Sequence, residues 1–393
     1  MSTIKVNSIK NTSTDDGGIA IDNSGHVQVD GVQLPTAGAL SSRRININGA
    51  MQVAQRATSV TGLSSSNACQ AVDRMFIRIN GAGTFTVSQS TESPDGFSNS
   101  IKWDCTTADS SPGANDFAYM SYRLEGQDLQ HLKKGTSGAL KTTVSFWVRS
   151  SETGTYAFRL VDSDNSRQVG LNYTIDTADT WEFKTLTLPG DTSGLLDDDN
   201  NTSISLTWWL VVGSNRTSGS LPTAWEATTT ADEAAGMTAN IAASTSSDFY
   251  LTGLQFEVGE KATPFEHRSI GDELHRCRRY FQTSFPSNPS TTNTDNNGLV
   301  MYGGSATAGT TTFIGTARIE FNPPMRAAPS VTIYDIASPR NTAKLHRHIY
   351  GQAGSNNQSA VPTNISADSF NVRSDNGNSA TGILFQYKVE AEL

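Results

Sequence analysis

The sequence is short of cysteine, of charge and of long apolar runs. Three cysteines among 393 residues are too few and too widely spaced for a disulfide framework or a zinc motif, so we expect free thiols. Charged residues make up only 17% of the chain, whereas long disordered chains usually carry a high net charge. No apolar run approaches the roughly 20 residues that a membrane helix needs. The sequence therefore predicts a folded protein that does not insert into a membrane.

The charge balance excludes one class of partner. The chain has 29 Lys and Arg residues against 38 Asp and Glu residues, for a formal net charge of -9. Proteins that bind nucleic acid usually present a basic surface, and the basic run at 276–279 is too short to form one. We therefore expect no nucleic-acid partner. Residues 1–6 lack the apolar core of a signal peptide, so we also expect synthesis in a cytoplasm.

Motifs for catalysis are missing as well. None of the six histidines lies in a His-Glu-x-x-His motif, and no Gly-x-Ser-x-Gly turn is present, so we predict no catalytic residues and no dedicated metal site. His346 and His348 share a strand face, which we interpret as a solvated polar face. Two loops rich in carboxylates, 162–166 and 197–201, keep calcium as an alternative to ordinary turns capped by Asp and Asn.

The residues that are abundant are Ser, Thr, Asn and Gly, and aromatic residues alternate with them along short segments. Between about Val72 and Gly259 the period is two, as in Thr143–Arg149, which is typical of strands with one face buried. Turn signals such as Asn80-Gly81 and Pro94-Asp95-Gly96 separate these segments. Many strands without intervening helices predict an all-β fold of two packed sheets, and a jelly roll is one such architecture.

The N-terminal residues predict short hairpins and no globule. The segments Ile19–Ile21 and Val27–Val29 flank the turn signal Asp22-Asn23-Ser24-Gly25. Such short hairpins bury too little surface to be stable alone, so they must pair with other copies or a larger assembly. A flexible tail is the alternative. The residues that we predict to serve attachment or oligomerisation here are Ile4, Val6, Ile9, Ile19 and Ile21.

One helix is predicted, at residues 269–283. Ser269 is a suitable N-cap, and Asp272 follows three residues later. A single apolar stripe runs along it, made of Ile270, Leu274, Cys277 and Phe281. The stripe fits packing around a three-fold axis, or equally packing against a sheet of the same chain. Residues 284–393 then predict a second β domain, whose clearest strand is Ile383–Ala391.

Aromatic residues provide the candidates for ligand binding. Sugar rings present apolar C–H faces, so a glycan site needs flat aromatic rings beside groups that form hydrogen bonds. Trp208 and Trp209 are adjacent in one strand and point to opposite faces, so one is core and the other is available. We expect Trp147 and Trp181 in the core. The candidates for glycan contact are Trp209, Trp225 in the long loop 217–243, and the nearby Asn215 and Arg216, with packing as the alternative for each.

Several stretches resemble one group of proteins. They are Leu251–Glu260 followed by Ala262–Arg268, and also Ser2–Ile9, Arg43–Arg56, Ala71–Phe76 and Asn322–Tyr334. These stretches are similar to sequences in fibres and fibre-like appendages of tailed bacteriophages, chiefly marine and cyanophage-like ones. The middle of the chain resembles a jelly roll of the carbohydrate-binding-module type. The resemblance implies a virion structural protein of tail-fibre type, without enzymatic activity.

The same resemblance implies an organisation and partners. It implies a homotrimer that joins other virion proteins through its N-terminal segment and displays β domains to a host-surface glycan or protein receptor. The alternatives are a fibre that decorates the head, a tailspike-like enzyme that degrades polysaccharide, and a non-viral carbohydrate-binding module. The predicted divisions are an attachment segment at 1–42, a jelly-roll sandwich at 43–268, a linking helix at 269–283 and a C-terminal β-sandwich at 284–393.

Overall fold

The protein is built almost entirely of antiparallel strands, as the sequence predicts. The computed structural model describes residues 8–9, 18–21, 27–29, 32–33, 42–285, 298–303, 316–335, 342, 344–349, 352–373 and 382–393. These residues form a small N-terminal sheet, a large sandwich of jelly-roll type, one α-helix and a C-terminal β-sandwich. The all-β prediction is therefore confirmed. Among the described residues no helix has the length and apolar character needed to cross a membrane.

The N-terminal sheet is a four-stranded meander with one apolar face. Its strands are β1 (Ser8–Ile9), β2 (Ile19–Ile21), β3 (Val27–Val29) and β4 (Val32–Gln33). The exposed fractions of Ile9, Ile19 and Ile21 are 61%, 43% and 44%. Ala20 and its cross-strand partner Gln28, which share a face of the sheet, are half-buried. Ile4 and Val6, which we predicted to act with them, lie outside the described residues.

The sandwich spans the middle of the chain. Its strands are β5 (Ser59–Cys69), β6 (Met75–Ser90), β7 (Ser100–Thr107), β8 (Phe117–Glu125), β9 (Thr142–Ser150), β10 (Gly154–Asp162), β11 (Arg167–Ile175), β12 (Glu182–Leu188), β13 (Thr202–Val212), β14 (Glu226–Ala227) and β15 (Asp248–Val258). One layer has the strand order β12-β9-β15-β7-β6, and the other has β14-β11-β10-β13-β8-β6. Trp103, Trp208 and Phe146 are fully buried between the two layers.

Strand β6 belongs to both layers. Its first half, from Met75 to Gly81, pairs with β8, and its second half, from Thr84 to Ser90, pairs with β7. The register shifts at Asn80 and Gly81, where we predicted a turn between two strands. That prediction was wrong, because glycine allows the strand to bend there without reversing direction: Gly81 has φ +70°. The bend carries the chain from one sheet to the other.

The helix is shorter than predicted. It is α1 (Ile270–Cys277), and the Ser269 hydroxyl accepts a hydrogen bond from the Asp272 N–H at 3.2 Å, which confirms the N-cap. Phe281 is not helical, because the chain turns at residues 278–280 and enters β16 (Phe281–Thr283). The apolar stripe therefore ends at Cys277, which is buried. Ile270 is 55% exposed and Leu274 is half-buried, so the helix packs on its own chain with part of its stripe uncovered.

The C-terminal domain is a second, smaller sandwich. Its further strands are β17 (Val300–Gly303), β18 (Thr316–Glu320), β19 (Ser330–Tyr334), β20 (Lys344–Ile349), β21 (Gln352–Ser359), β22 (Val361–Thr363), β23 (Ser369–Arg373) and β24 (Gly382–Glu390). Strand β24 pairs with β16, β17, β19 and β20, and so organises the larger sheet. The core between the sheets contains Phe370, Phe385 and Val389.

A buried carboxylate joins the large sandwich to the segment after the helix. Glu125, at the end of β8, is fully buried and accepts hydrogen bonds from Arg279 at 2.8 and 2.7 Å and from the Tyr280 hydroxyl. Burial alone would raise the pKa of Glu125, but the hydrogen bonds from Arg279 and Tyr280 outweigh it and hold the pKa below the ordinary value of 4.5. The Glu125 carboxylate is therefore one of the polar contacts between the large sandwich and the start of the C-terminal domain.

Replacing Glu125 by glutamine should lower the free energy of unfolding, by an amount that depends on pH. Because the folded-state pKa is depressed, the stabilisation from Glu125 is present above pH 4.5 and is lost as the pH falls through the depressed value. We expect Glu125→Gln to lower stability by about 2 kcal/mol at pH 7, and by less at pH 3. Urea unfolding at several pH values measures this. Glu92→Gln, at an exposed position, is the control, and an equal loss at pH 7 and pH 3 would contradict the prediction.

Candidate functional site

Two aromatic rings stand on the outer face of the sheet formed by β12, β9 and β15. Trp147 on β9 pairs directly with Phe183 on β12, and their ring centroids are 5.3 Å apart at an interplanar angle of 50°. The neighbouring residues Phe146 and Val148 point into the core and are fully buried. Trp147 is half-buried and Phe183 is 48% exposed, so both rings are accessible from solvent.

A glycine in β15 makes room for two rings, Trp147 and Phe97. The pairing of β15 with β9 is interrupted between Thr252 and Gln255, and Gly253 there has φ +62°. A side chain at Gly253 would place its Cβ 2.8 Å from Phe97 and 3.0 Å from Trp147. Glycine is therefore required both for the left-handed backbone and for the close approach of the two rings to the main chain.

The stretch that resembles phage fibres builds one wall of the site. Gln255 and Glu257 point outward from β15 yet are buried, because residues 261–266 fold back over them. The Glu257 carboxylate accepts hydrogen bonds from the Thr263 N–H at 2.9 Å and from the Thr263 hydroxyl at 2.7 Å. The Gln255 amide donates to Glu257 at 2.8 Å and accepts from the Glu266 N–H at 2.8 Å. These bonds hold the returning segment against the sheet.

The returning segment places a fourth ring, Phe265, beside Phe97. Phe265 contacts Phe97 edge to face at a centroid distance of 5.0 Å. The result is an open cleft of about 490 Å³, lined among others by Ser145, Trp147, Phe183, Gly253, Thr263 and Phe265. Gln28 of the N-terminal meander also reaches its edge. The cleft thus combines apolar rings with hydroxyl and amide groups.

The aromatic surface continues along the same sheet. Trp181, which is half-buried, contacts Tyr250 on β15 at a centroid distance of 6.0 Å. Lys102 and Arg149 lie over the Tyr250 ring at 5.5 and 5.0 Å. Burial and the nearby Asp248 carboxylate raise the pKa of Tyr250, so its hydroxyl stays protonated and donates to Asp248 at 3.0 Å. We call Trp147, Trp181, Phe183, Phe97 and Phe265 the aromatic face.

Replacing Glu257 by alanine should detach this wall of the cleft. The Thr263 N–H and hydroxyl would lose their buried acceptor, which costs about 1–3 kcal/mol for each group left unpaired, while the Gln255 amide still donates to Thr263. We expect a lower melting temperature and, since Phe265 is no longer held, about tenfold weaker binding of any ligand of the cleft. Glu260→Ala, three residues further on and half exposed, is the matched control. Unchanged melting and binding in Glu257→Ala would contradict this assignment.

Trp147 and Trp181 were expected in the core, and this expectation was wrong. Trp147 lies on the same face of β9 as Ser145 and Arg149, opposite to the buried Phe146 and Val148. The alternation along the strand therefore indicates that Trp147 faces outward. For Trp181 the sequence contained no such signal, since it lies one residue before β12 begins. Phe265 and Phe97 were not predicted as site residues, because they lie in segments between strands and approach each other only in the folded chain.

Trp209 cannot contact a glycan in this structure. It points away from the sandwich core, as predicted for one of the two adjacent tryptophans, but the loop 213–243 covers it and its exposed fraction is 0%. Phe117 and Ala234 are buried against it, and the Arg216 guanidinium lies 5.6 Å from its ring centroid. Burial under the loop that follows its own strand, and not the face of the strand on which it lies, decides its environment.

The other three predicted glycan contacts lie apart from the cleft as well. Trp225 is half-buried, and its indole N–H donates to the Pro189 carbonyl at 2.7 Å. Arg216 forms an ion pair with Glu233. Asn215 is exposed and donates to the Asn115 side chain at 2.7 Å. None of the three lines the cleft.

Several carboxylates of the two acidic loops, 162–166 and 197–201, for which calcium was the alternative to ordinary turns, have protein partners, and Asp199 accepts from the Asn201 N–H at 2.9 Å. Asp162 contacts the Lys134 ammonium and accepts from the Asn165 amide at 2.9 Å, and Asp164 accepts from the Asp197 N–H at 2.9 Å. In the part of the chain that the structure describes, no group of three or more His, Cys, Asp or Glu side chains is arranged to hold a metal ion. The side chains of His346 and His348 lie outside the description. Cys69, Cys105 and Cys277 are buried free thiols.

Known proteins resemble this chain only distantly. No protein-family model and no curated protein sequence matches it. Similar solved structures include the enzymatically active domain of tailspike protein 4 of bacteriophage CBA120, at 11% identity and a TM-score of 0.29 over 51% of this chain. This chain covers 21% of that tailspike chain.

Two carbohydrate-binding modules are also similar. A family 11 module from Clostridium thermocellum, in complex with a β-1,3-1,4-mixed-linked tetrasaccharide, has 10% identity and a TM-score of 0.27, covering 52% of this chain and 99% of the module. A CBM22-1 xylan-binding domain from Paenibacillus barcinonensis has 10% identity and a TM-score of 0.23, covering 53% of this chain and 99% of the domain. All these TM-scores are below 0.5, so a function in glycan binding has to be argued from the side chains of the aromatic face.

Proposed function

We propose that this protein binds a glycan on the aromatic face and does so as a fibre-type component of a bacteriophage virion. The observation that carries the glycan proposal is the pair Trp147 and Phe183, two large rings on a rigid sheet that the fold leaves accessible. Exposed aromatic rings interact only weakly with water, whereas stacking against the apolar C–H face of a sugar ring removes apolar surface from water and is favourable. The half-buried Gln28 side chain at the edge of the cleft supplies an amide that can bond the sugar, whereas Ser145 and Thr263 are almost fully buried in the lining.

The cleft has the dimensions of a small-ligand site. Its volume of about 490 Å³ lies within the range of roughly 300–1,000 Å³ that such sites span. It is open along the sheet and not closed, which suits a segment of a longer polymer. The rings stand on β9 and β12 and are supported by core residues behind them, so the site is pre-formed and little ordering opposes binding.

Binding without cleavage is the activity we propose. The described carboxylates close to the rings have partners of their own: Asp104 pairs with Lys102 and Asp179 with Arg149. A tailspike-like enzyme needs one carboxylic acid and one carboxylate on either side of the bond that breaks. Incubation of the purified protein with the bound polysaccharide should release no reducing ends. Their release would favour the enzyme over the binder.

The experiment that tests glycan binding is titration of the full-length protein with soluble polysaccharides, followed by calorimetry. Surface polysaccharides extracted from candidate host bacteria and a panel of plant and bacterial glucans, mannans and galactans are the probes. We expect saturable binding of at least one of them. If no polysaccharide binds at any accessible concentration, the glycan proposal is wrong and a protein receptor takes its place.

The virion part of the proposal rests on the resemblance to phage fibres and on the N-terminal meander. An aliphatic face with Ile9, Ile19 and Ile21 exposed needs a partner surface, since strands of two or three residues are unstable alone. In a homotrimer three copies of this face can cover each other, and other virion proteins can dock beside them. A head-decorating fibre and a non-viral carbohydrate-binding module are the alternatives.

Introducing charge on the meander should disrupt the trimer. We expect the double variant Ile19→Asp, Ile21→Asp to change the mass of the particle in light scattering from three chains to one, because three copies would bury like charges against each other. Leu195→Asp, at an apolar position that is 66% exposed on a distant loop, is the control and should remain a trimer. A monomeric wild-type protein would contradict the fibre proposal and favour the non-viral module.

A further inference from the structure

We infer that the glycan bound by the aromatic face is electrically neutral, an inference that rests on the proposed function. The basic side chains that lie over Phe265 or over the adjacent Tyr250 are Arg44, Lys102 and Arg149, and each forms an ion pair, Arg44 with the buried Glu273. Lys102 lies 2.9 Å from the Asp104 carboxylate, and Arg149 lies 3.1 Å from the Asp179 carboxylate. Lys261, at the edge of the cleft, is not without a partner either. An anionic sugar would therefore have to compete with the partners that the lysine and arginine side chains described at the face already have.

The exposed fractions of the paired side chains support this inference. The Asp104 side chain is 42% exposed while its partner Lys102 is 26% exposed, and Asp179 is 59% exposed while Arg149 is 19% exposed. In both pairs the carboxylate is the outer member. A ligand that approaches the sheet meets negative charge before positive charge. Uronic acid, sulfate or phosphate groups on a glycan would be repelled, most strongly at low ionic strength.

Lys102 and Arg149 also stabilise the fold around Tyr250. Lys102 and Arg149 both lie over the ring of Tyr250, which is itself 6% exposed. The hydrogen bond to Asp104 raises the pKa of Lys102 although burial opposes it, so the ammonium stays charged at neutral pH. Their contacts with Tyr250 and with the carboxylates fix the floor beside Trp181 and leave stacking and hydroxyl contacts to recognise the ligand. Such contacts select a neutral sugar.

The chain as a whole has the same preference. Its formal net charge of -9 disfavours long polyanions at any surface that lacks a basic patch. A neutral polysaccharide escapes this repulsion, and its binding should depend little on salt. Polyanionic ligands held by basic side chains would behave differently, since screening by salt would weaken that attraction and lower the affinity.

A matched pair of polymers tests the inference directly. The probes are each neutral polysaccharide that the full-length protein binds, and the same polymer after oxidation of its C6 hydroxyls to carboxylates. We expect affinity for the neutral form to change less than about twofold between low and high salt. We expect the oxidised form to bind about tenfold more weakly at low salt, and this difference to shrink as salt is added.

Two carboxylate substitutions should abolish the preference for the neutral polymer. The double variant Asp104→Asn, Asp179→Asn leaves Lys102 and Arg149 without their acidic partners, so it should gain about tenfold in affinity for the oxidised polymer and keep the wild-type affinity for the neutral one. Asp272→Asn is the matched control, because it frees Arg276 from an exposed ion pair on α1, away from the face. It should alter neither affinity.

The outcomes separate this inference from the proposed function. Tighter, salt-sensitive binding of the oxidised polymer by the wild type would overturn the neutral-ligand inference and leave glycan binding intact. The neutral-ligand inference also fails if the double variant gains no affinity for the oxidised polymer. If neither form of any polymer binds, the proposed function itself fails, and the inference with it.

Discussion

Replacing Trp147 and Phe183 together by alanine should reduce glycan affinity by about a hundredfold. Each ring that covers a sugar face contributes about 1.5 kcal/mol through burial of apolar surface, and two rings together contribute about 3 kcal/mol. The two rings pair across β9 and β12, and Trp147 also lies close to the Gly253 backbone. Calorimetric titration of wild type and double variant measures the loss.

Single substitutions separate binding from folding. Phe183 is 48% exposed, so Phe183→Ala alone should leave the melting temperature almost unchanged while weakening binding about tenfold. Leu195→Ala removes a large apolar side chain with an exposed fraction of 66% elsewhere on the surface, and should alter neither property. Wild-type affinity in the double variant, with the protein folded, would place the glycan site outside the aromatic face.

Replacing Lys134 by methionine should destabilise the large sandwich more strongly than any substitution on the aromatic face. The Lys134 ammonium is buried between Asp162 and Asp191, and it donates to the carbonyls of Ser193 and Gly194 at 3.0 Å each. The exposed fractions of the two carboxylate side chains are 0% and 3%. Removing the ammonium leaves the buried Asp162 carboxylate without an ionic partner, while Asp191 keeps Arg167 at 2.7 Å, and an unpaired buried charge costs about 3–5 kcal/mol.

Urea unfolding followed by tryptophan fluorescence measures this effect on the large sandwich, where Trp103 and Trp208 report core packing. Lys133→Met is the matched control, because Lys133 is the exposed neighbour in sequence. The wild-type curve should be the same with and without EDTA, since the ammonium already supplies positive charge among these oxygen atoms. A lower midpoint in EDTA would instead support the calcium alternative for the two acidic loops.

Several elements of the fold could be predicted because their signals are local. The two-residue alternation in Thr143–Arg149 identifies β9 and its buried face, and Ser269 marks the start of the helix through a hydrogen bond to Asp272, three residues away. The bend in β6 was missed, because the same Asn-Gly pair serves a reversing turn or a strand that changes sheets. Only pairing with two different strands distinguishes these cases.

The candidate site was harder to predict, because it depends on contacts between strands and the loops that pack on them. Gln255 and Glu257 are recognisable in the sequence, yet their function appears only once Thr263 folds back onto them and positions Phe265. Trp209 is hidden by residues 213–243, and no local pattern reveals whether a loop covers an outward-facing ring or leaves it open. Trp147 has the same kind of position in its strand and stays accessible, since the segments around it stand at the rim of the cleft.

The sequence by itself determined the all-β class, the strand faces and the helix cap of this protein, because these depend on side-chain period and on hydrogen bonds between near neighbours. The tertiary structure alone decided which outward-facing aromatic residues form a binding surface and which carboxylates neutralise its cations. The physical reason is that exposure and charge pairing depend on residues such as Phe97, Asp179 and Phe265, which meet their partners only when the chain folds.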